Sequence, residues 1–417
     1  MVLFGIGAMF GFAWLIQLLT RNRYYVLLGL TLFAICPWAI MASRWGLDCN
    51  LLPFILVWAL CFLIKAGQSR QHQKYLLPAC CYFGVMLYTY ALAWLFVPLL
   101  LLAVYSVWFV QRKIHWLWFV VANCVLLLLA LPLVIFVIIN AWGSESLQIG
   151  VVTIPKLLFF RGAEIRFQNC LVNVGSLAYL LVAQVDNTAH NSLFSFGNFY
   201  ILAVFFVAFG LVRTVKMLRQ NPGDPAPLVI LLAVGSALLV GLFITQINVN
   251  KINMLWIGYL ALMVLGVIEF VQQNQRLFAA VLGIFGMLFI CFNAIYFTAW
   301  NKNIGPNFNA GLTDAIVYAN TVVAPNQHIY FDADLHEPQV YCLLVDAERP
   351  SAFIAARQPN GFCPAYQQYV FGLPIDDTTA WVTADILITS LDKYAQLGLG
   401  DIYRAQVCQN FVVLVKN

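Results

Sequence analysis

SRWGLDCN, residues Ser43–Asn50, separates two long apolar runs. YYVLLGLTLFAICPWAIMA, Tyr24–Ala42, stands before it, and LLPFILVWALCFLI, Leu51–Ile64, stands after it. A helix needs about 20 mostly apolar residues to cross a bilayer. A spanning segment must also satisfy its own backbone polar groups, which favours helices. The octapeptide therefore reads as the turn between two membrane helices. Arg44 and Asp48 cost free energy at such a seam unless they meet a partner or serve a site.

The same pattern repeats along the chain. Ten apolar runs are expected to be membrane helices: Val2–Leu19, Tyr25–Ala42, Leu51–Ile64, Tyr75–Tyr90, Ala91–Val110, Trp116–Ile139, Phe199–Val212 with its flanks, Leu228–Ile244, Asn253–Val271 and Leu277–Ala299. Composition agrees. Of 417 residues 63% are hydrophobic and 9% charged, against about 25% charged in an ordinary soluble domain. A single water-soluble globule is excluded. Residues 1–300 hold 16 Lys/Arg and 6 Asp/Glu, whereas 301–417 hold 6 and 11. The chain thus reads as a basic membrane domain, 1–300, followed by a small acidic α/β domain, 301–417.

Every second short loop is basic: Arg21/Arg23, Lys65/Arg70/Lys74, Arg112/Lys113, Arg213/Lys216/Arg219 and Arg276. By the positive-inside rule these loops face the cytoplasm. SRWGLDCN, the turn Tyr88-Thr89-Tyr90, the segment 140–198, the loop TQINVNK and the acidic tail then face outside, and so does Met1. In the tail, GLTDAIVYANTVV and LDKYAQL have helical spacing, while HIYFDA, DILITS and FVVLVK read as strands. NIGPNFNAG, Asn303–Gly311, reads as the linker. The cysteines have no zinc spacing, and a disulfide among Cys342, Cys363 and Cys408 stays open from sequence.

The unusual polar residues gather on the expected outer side. Lys156, Arg161, Glu164 and Arg166 have apolar interleaving. They suit either an interfacial amphipathic helix or a cationic rim for a lipid phosphate, which the arginine fork binds with two parallel hydrogen bonds. Asp186, Asn187, His190 and Asn191 suit either turn chemistry or sugar hydroxyls, and Tyr88 and Tyr90 are further sugar or acceptor candidates. Lys251 is either a snorkelling lysine or a phosphate ligand. Arg44 and Asp48, four apart, suit either a helical ion pair or a site at a membrane cavity.

At these residues the chain resembles the C-type membrane glycosyltransferases, and within them the protein O-mannosyltransferase-like enzymes (glycosyltransferase family 39-like). LFGIGAMFGFAWLIQLLTRNRYYVLLGL looks like the family's second helix. PWAIMASRWGLDCNLLPF looks like the following outer turn, where Ser-Arg precedes an acidic residue. GVMLYTYALAWLFVPLLLL, QVDNTAHNSLFSFGNFY and NVNKINMLWIGYLALMVLG resemble later segments. The family's catalytic carboxylate lies in the first outer loop, before the part matched here, so the resemblance places the general base upstream of Met1.

The resemblance implies an enzyme of a bacterial plasma membrane that moves a sugar from a polyprenyl-phosphate carrier to an extracytoplasmic acceptor, a cell-envelope glycan, lipid or protein. Arg44, Arg161, Arg166 and Lys251 are the donor-phosphate candidates, and Asp48 and Asp186 the supporting carboxylates. A divalent metal is compatible with this reading, other partners are membrane lipids, and no nucleic acid is expected. A non-catalytic truncated relative acting as a scaffold and a lipid-linked glycan transporter are the alternatives.

Overall fold

The computed structural model describes residues 1–142, 146–150, 152–157, 169–186, 188, 190–272, 274–346, 350–358, 363–375, 384–397 and 402–417. The chain forms two compact units, Met1–Phe297 and Thr298–Asn417.

The first unit is helical: α1 Val2–Thr20, α2 Arg23–Ala34, α3 Pro37–Arg44, α4 Leu51–Gly67, α5 Leu76–Met86, α6 Ala93–Val110, α7 Trp116–Trp142, α8 Cys170–Ala183, α9 Ala203–Gln220, α10 Pro225–Leu242, α11 Trp256–Val271 and α12 Gln275–Ile295. All ten apolar runs become helix. Among the described residues seven helices are long and apolar enough to cross a membrane, eight if α2 and α3 form one broken span. That is fewer than the ten expected, for local reasons. The α5 helix has only 11 residues, and α9 carries Arg213, Lys216 and Arg219 in its second half. Sequence reading also missed α8, a 14-residue apolar helix inside the segment taken as an outer loop.

The run Tyr25–Ala42 is not one straight span. It bends by 58° between α2 and α3. Pro37 opens α3 and keeps Cys36 extended (φ −71°, ψ 123°), as expected for the residue before a proline. The backbone groups freed by the break find partners in the segment before α9. Tyr200 Oη donates to the Ile35 carbonyl at 2.7 Å, and Trp38 N donates to the Asn198 carbonyl at 2.8 Å. Broken helices at membrane depth are tolerated on this condition.

Burial grades the helices. Fourteen of the 16 residues of α11 are buried, which makes it a central helix, apolar on all sides. By contrast α7 buries only Ala122 and Ile139 among its 27 residues and belongs to the rim. At the basic ends, Asn22, Asp224 and Asn274 cap α2, α10 and α12 by accepting from the N–H two residues on.

An antiparallel strand pair, β1 Leu147–Ile149 with β2 Val152–Ile154, follows α7. The second unit holds one six-stranded sheet built from β3 Ile329–Asp332, β4 Ala365–Tyr366, β5 Tyr369–Leu373, β6 Ile386–Ser390, β7 Tyr403–Cys408 and β8 Phe411–Lys416, in the order β4-β5-β3-β6-β8-β7. The β3 strand pairs parallel with β5 and β6, and the other pairings are antiparallel. The alternation of β6 and β8 fills both faces. Ile386, Ile388, Phe411 and Val413 enter one core with helix Leu312–Val322, and Leu387, Val412 and Leu414 enter the other. At the end of β3, buried Asp332 accepts from Thr389 Oγ1 at 2.7 Å and from Lys393 Nζ at 3.0 Å. Burial would lower the Lys393 pKa, but Asp334 and Asp332 beside it hold it above the usual value. The tail cysteines are free thiols; burial and the nearby Asp346 push the Cys342 thiol up.

Candidate functional site

Three loops of the non-basic face converge. They are the segment 45–50 between α3 and α4, the segment 184–200 between α8 and α9, and the segment 245–255 between α10 and α11. Asp186 joins the last two. Its buried carboxylate accepts from Thr188 N at 2.9 Å on Oδ1, and from Asn191 Nδ2 at 2.7 Å and Val249 N at 2.9 Å on Oδ2. Asn191 passes the link on: its Oδ1 accepts from Asn250 Nδ2 at 2.6 Å. Lys251 Nζ donates to the Thr245 carbonyl at 2.8 Å, closing its own loop.

The first loop is tied in through Asn253. Its Nδ2 donates to Asn50 Oδ1 at 3.1 Å and to the Cys49 carbonyl at 3.2 Å, while its Oδ1 accepts from Trp38 Nε1 at 3.4 Å. Asn50 Nδ2 donates to the Trp45 carbonyl at 3.2 Å. The Trp45 ring meets His190 edge-on, with centroids 4.2 Å apart. Burial lowers the His190 pKa, and the nearby Asp186 charge offsets only part of that shift.

Gln184 fixes the base of the second loop. It ends α8 in the left-handed region (φ 57°). Its carbonyl accepts from Asn198 N at 3.1 Å, and its Oε1 accepts from Phe199 N at 2.8 Å. Asn173, about three turns earlier on α8, donates to the Gly241, Leu242 and Ile244 carbonyls at 3.2, 2.9 and 2.7 Å. It thereby satisfies the end of α10, whose last carbonyls lack helical partners. A hollow of about 330 Å³ opens beside this assembly, lined by Gly175, Ser176, Tyr179, Leu180, Val185, Asp186 and Ile247.

Arg44 and Asp48 do not pair: among the described residues no ion pair joins them within 4.0 Å. The helical ion-pair reading fails because α3 stops at Arg44. Trp45 leaves in an extended conformation (φ −100°, ψ 123°), and Asp48 begins a separate short turn. Arg44 instead lies over the rings of Phe297 and Tyr296, 4.5 and 5.2 Å from their centroids. Asp48 Oδ1 accepts from Cys49 N at 2.7 Å, and the side chains of Arg44 and Asp48 are exposed.

Tyr88 stands apart from the three-loop network and gives its hydroxyl to the Leu129 carbonyl at 2.6 Å; Tyr90 is half-buried in the same turn. Arg161, Arg166 and Asn187 lie outside the described residues. Among the described residues no group of three or more His, Cys, Asp or Glu side chains gathers to hold a metal. Sequence reasoning passed over Asn50, Asn173 and Gln184. Asn173 carried a usable signal, an amide inside an apolar run, which needs hydrogen-bond partners where water is absent.

No protein-family model matches the chain, and no curated protein matches it in sequence. Solved structures match in fold. The crystal structure of ArnT from Cupriavidus metallidurans bound to undecaprenyl phosphate is 12% identical, covering 99% of this chain and 82% of that one, with a TM-score of 0.56. The same protein in the apo state is 12% identical over the same shares, with a TM-score of 0.55. The chain therefore has the fold of a polytopic helical membrane protein with a small α/β domain at its C-terminal end, as those structures do.

Proposed function

We propose that this protein is a membrane glycosyltransferase of the C type that takes a sugar from a polyprenyl-phosphate carrier and passes it to an acceptor outside the cytoplasm. The observation that carries the reading is the match of fold, over 99% of the chain, to a protein crystallised with undecaprenyl phosphate. The motif resemblance of the sequence to such enzymes supports it independently. The acceptor would offer a hydroxyl, from a cell-envelope glycan, a lipid or a protein. The α/β domain would lie on the same, extracytoplasmic side as the three converging loops.

Two features suit a lipid-borne donor. An apolar groove of about 550 Å³ runs between α6 and α7, lined by Trp94, Val97, Leu101, Leu126, Val134 and their neighbours. An isoprenoid chain is chemically matched to it, since within a bilayer van der Waals packing against an apolar wall is what holds one apolar group to another. Arg44 is exposed, lies over the Phe297 and Tyr296 rings, shares a side-chain hydrogen bond with Tyr296 and keeps further guanidinium donors for a ligand. Those donors would stabilise the leaving phosphate, where negative charge develops during transfer. Lys251, with one of three ammonium hydrogens given to Thr245, would add a second charge.

The two carboxylates would differ in role. Asp186 has three donors on its oxygens, so it would hold the loops in place rather than accept a proton. Asp48 is exposed and keeps Oδ2 open, so it would orient the acceptor or the donor sugar.

The test uses the purified full chain and a photoreactive polyprenyl phosphate. Labelling that saturates, is competed by undecaprenyl phosphate but not by neutral polyprenol, and maps to α6, α7 or the 43–50 loop supports the reading. Equal competition by the neutral alcohol overturns it, because the phosphate would then play no part.

A further inference from the structure

We propose that a hollow at the basic face, between the end of α6 and the start of α7, binds the phosphate of an anionic phospholipid through Arg70 and Arg112. The inference stands apart from the catalytic reading, since it concerns the opposite end of the helices. The hollow holds about 510 Å³ and is lined by Arg70, Phe109, Val110, Arg112, Ile114 and Trp116. Both arginines are exposed. Among the described residues neither forms an ion pair, a side-chain hydrogen bond or a ring contact. Their guanidinium donors are thus open to a ligand in one shared concavity.

The donors on either side of Arg112 are already committed. Lys113 Nζ donates to the Gly223 carbonyl at 2.6 Å, and Gln111 Nε2 to the Pro222 carbonyl at 3.0 Å. These bonds pin the α6–α7 turn to the turn before α10. Arg112 itself has φ 53°. That is the left-handed position after a helix end where glycine is favoured.

The occupant follows from what surrounds the charge. The hollow lies where two membrane-spanning helices, α6 and α7, meet at their basic ends. Its rim is apolar and open, with Phe109 64%, Val110 81% and Trp116 60% exposed. Tryptophan at the headgroup level is a usual feature of membrane interfaces. A phosphate among arginines with an apolar rim suits a phospholipid, whose headgroup takes the charge and whose chains cover the rim. Basic pockets between membrane helices bind anionic headgroups in this way. The guanidinium fork adds two parallel hydrogen bonds to a phosphate. A soluble polyanion would leave Phe109, Val110 and Trp116 uncovered.

The test is native mass spectrometry of the full chain, titrated with phosphatidylglycerol or phosphatidylcholine, with inorganic phosphate as a competitor. The wild type should retain phosphatidylglycerol in preference, and phosphate alone should displace little of it. The double variant Arg70→Gln/Arg112→Gln should lose that preference by roughly 30-fold, from about fivefold for each basic residue near a headgroup. Arg276→Gln, an exposed basic residue on the same face, should keep it. An unchanged preference in the double variant, or an equal loss in Arg276→Gln, overturns the proposal. A second readout needs no variant. In phosphatidylglycerol nanodiscs Arg70 and Arg112 should be protected from phenylglyoxal, relative to phosphatidylcholine nanodiscs. Equal modification of both arginines in the two lipids also overturns the site.

Discussion

Gly210 and Gly266 face each other where α9 and α11 cross, and each occupies the place where a side chain would strike the other helix. A Cβ on Gly210 would collide with the Leu262 carbonyl, and one on Gly266 with the Phe206 carbonyl. One turn further along both helices, Arg213 Nη1 meets Glu269 Oε2 at 2.7 Å. The equal offset shows two helices running parallel in fixed register. Small residues that bring backbones together are a common device of membrane helix packing, and here the contact sets an ion pair one turn below it.

Gly210→Val should prevent the two helices from packing. Added volume in a tight core costs about 1–3 kcal/mol, and here the obstacle is backbone, which yields less than a side chain. The expected result is loss of the monodisperse peak in fluorescence-detected size exclusion. Gly7→Ala, where nothing lies within 4 Å of an added Cβ, should behave as wild type. Equal behaviour of the two variants would refute the crossing.

Glu269→Gln removes the acid that Arg213 and Lys216 share. Breaking one member of a partly buried pair costs about 3 kcal/mol, because a charge is left uncompensated. The double change Arg213→Met/Glu269→Gln should be less destabilising than Glu269→Gln alone. A thermal-melt series in one detergent reads the difference. Additive losses would mean that the two residues act separately.

Asp186→Asn should loosen two loops at once. The native carboxylate accepts on both oxygens. An amide would set an N–H group against at least one of those donors, at a cost of about 1–3 kcal/mol for the unsatisfied group. Hydrogen exchange should rise in 184–200 and 245–255 and stay unchanged in α4. Unaltered exchange in both loops would remove the clamp role.

His190 makes stability depend on acid. Its pKa is lowered on folding, chiefly by burial. The unfolded chain therefore binds the proton more readily than the folded one. The stability that depends on neutral His190 is fully present above the ordinary value of 6.5 and falls as pH drops below it. Melting temperature should decline from pH 7.5 to about pH 5.5, and His190→Asn should flatten that part of the profile. A variant with the wild-type slope would assign the effect elsewhere.

Arg44→Ala and Asp48→Asn should combine additively. No ion pair joins the two side chains within 4.0 Å, so removing one leaves no charge stranded on the other. Competitive labelling with a polyprenyl-phosphate probe should fall more for Arg44→Ala, which removes the guanidinium proposed to hold the phosphate, than for Asp48→Asn. Recovery of binding in the double variant would restore the local ion pair that the geometry excludes.

Much of the molecule was legible without coordinates. Apolar length identified the helices, and the alternating basic loops identified the two faces. The strands HIYFDA, DILITS and FVVLVK became β3, β6 and β8. These features depend on each residue's own preference for lipid, water or an extended backbone, and that preference is written locally. Pro37 was equally visible, yet the 58° break it starts became meaningful only with Tyr200 and Asn198 in place to take up the freed backbone groups.

What only the tertiary structure decided was which polar groups meet. Asp186 joins Val249, 63 residues away, and Trp38 joins Asn253, 215 residues away. Arg44 and Asp48, four apart and suggestive of a pair, separate because α3 ends between them. Hydropathy carries no information about such partners. Each hydrogen bond is satisfied by whichever helix end the packing brings near, and that packing is settled by contacts such as Gly210 on Gly266 that join distant stretches of the chain.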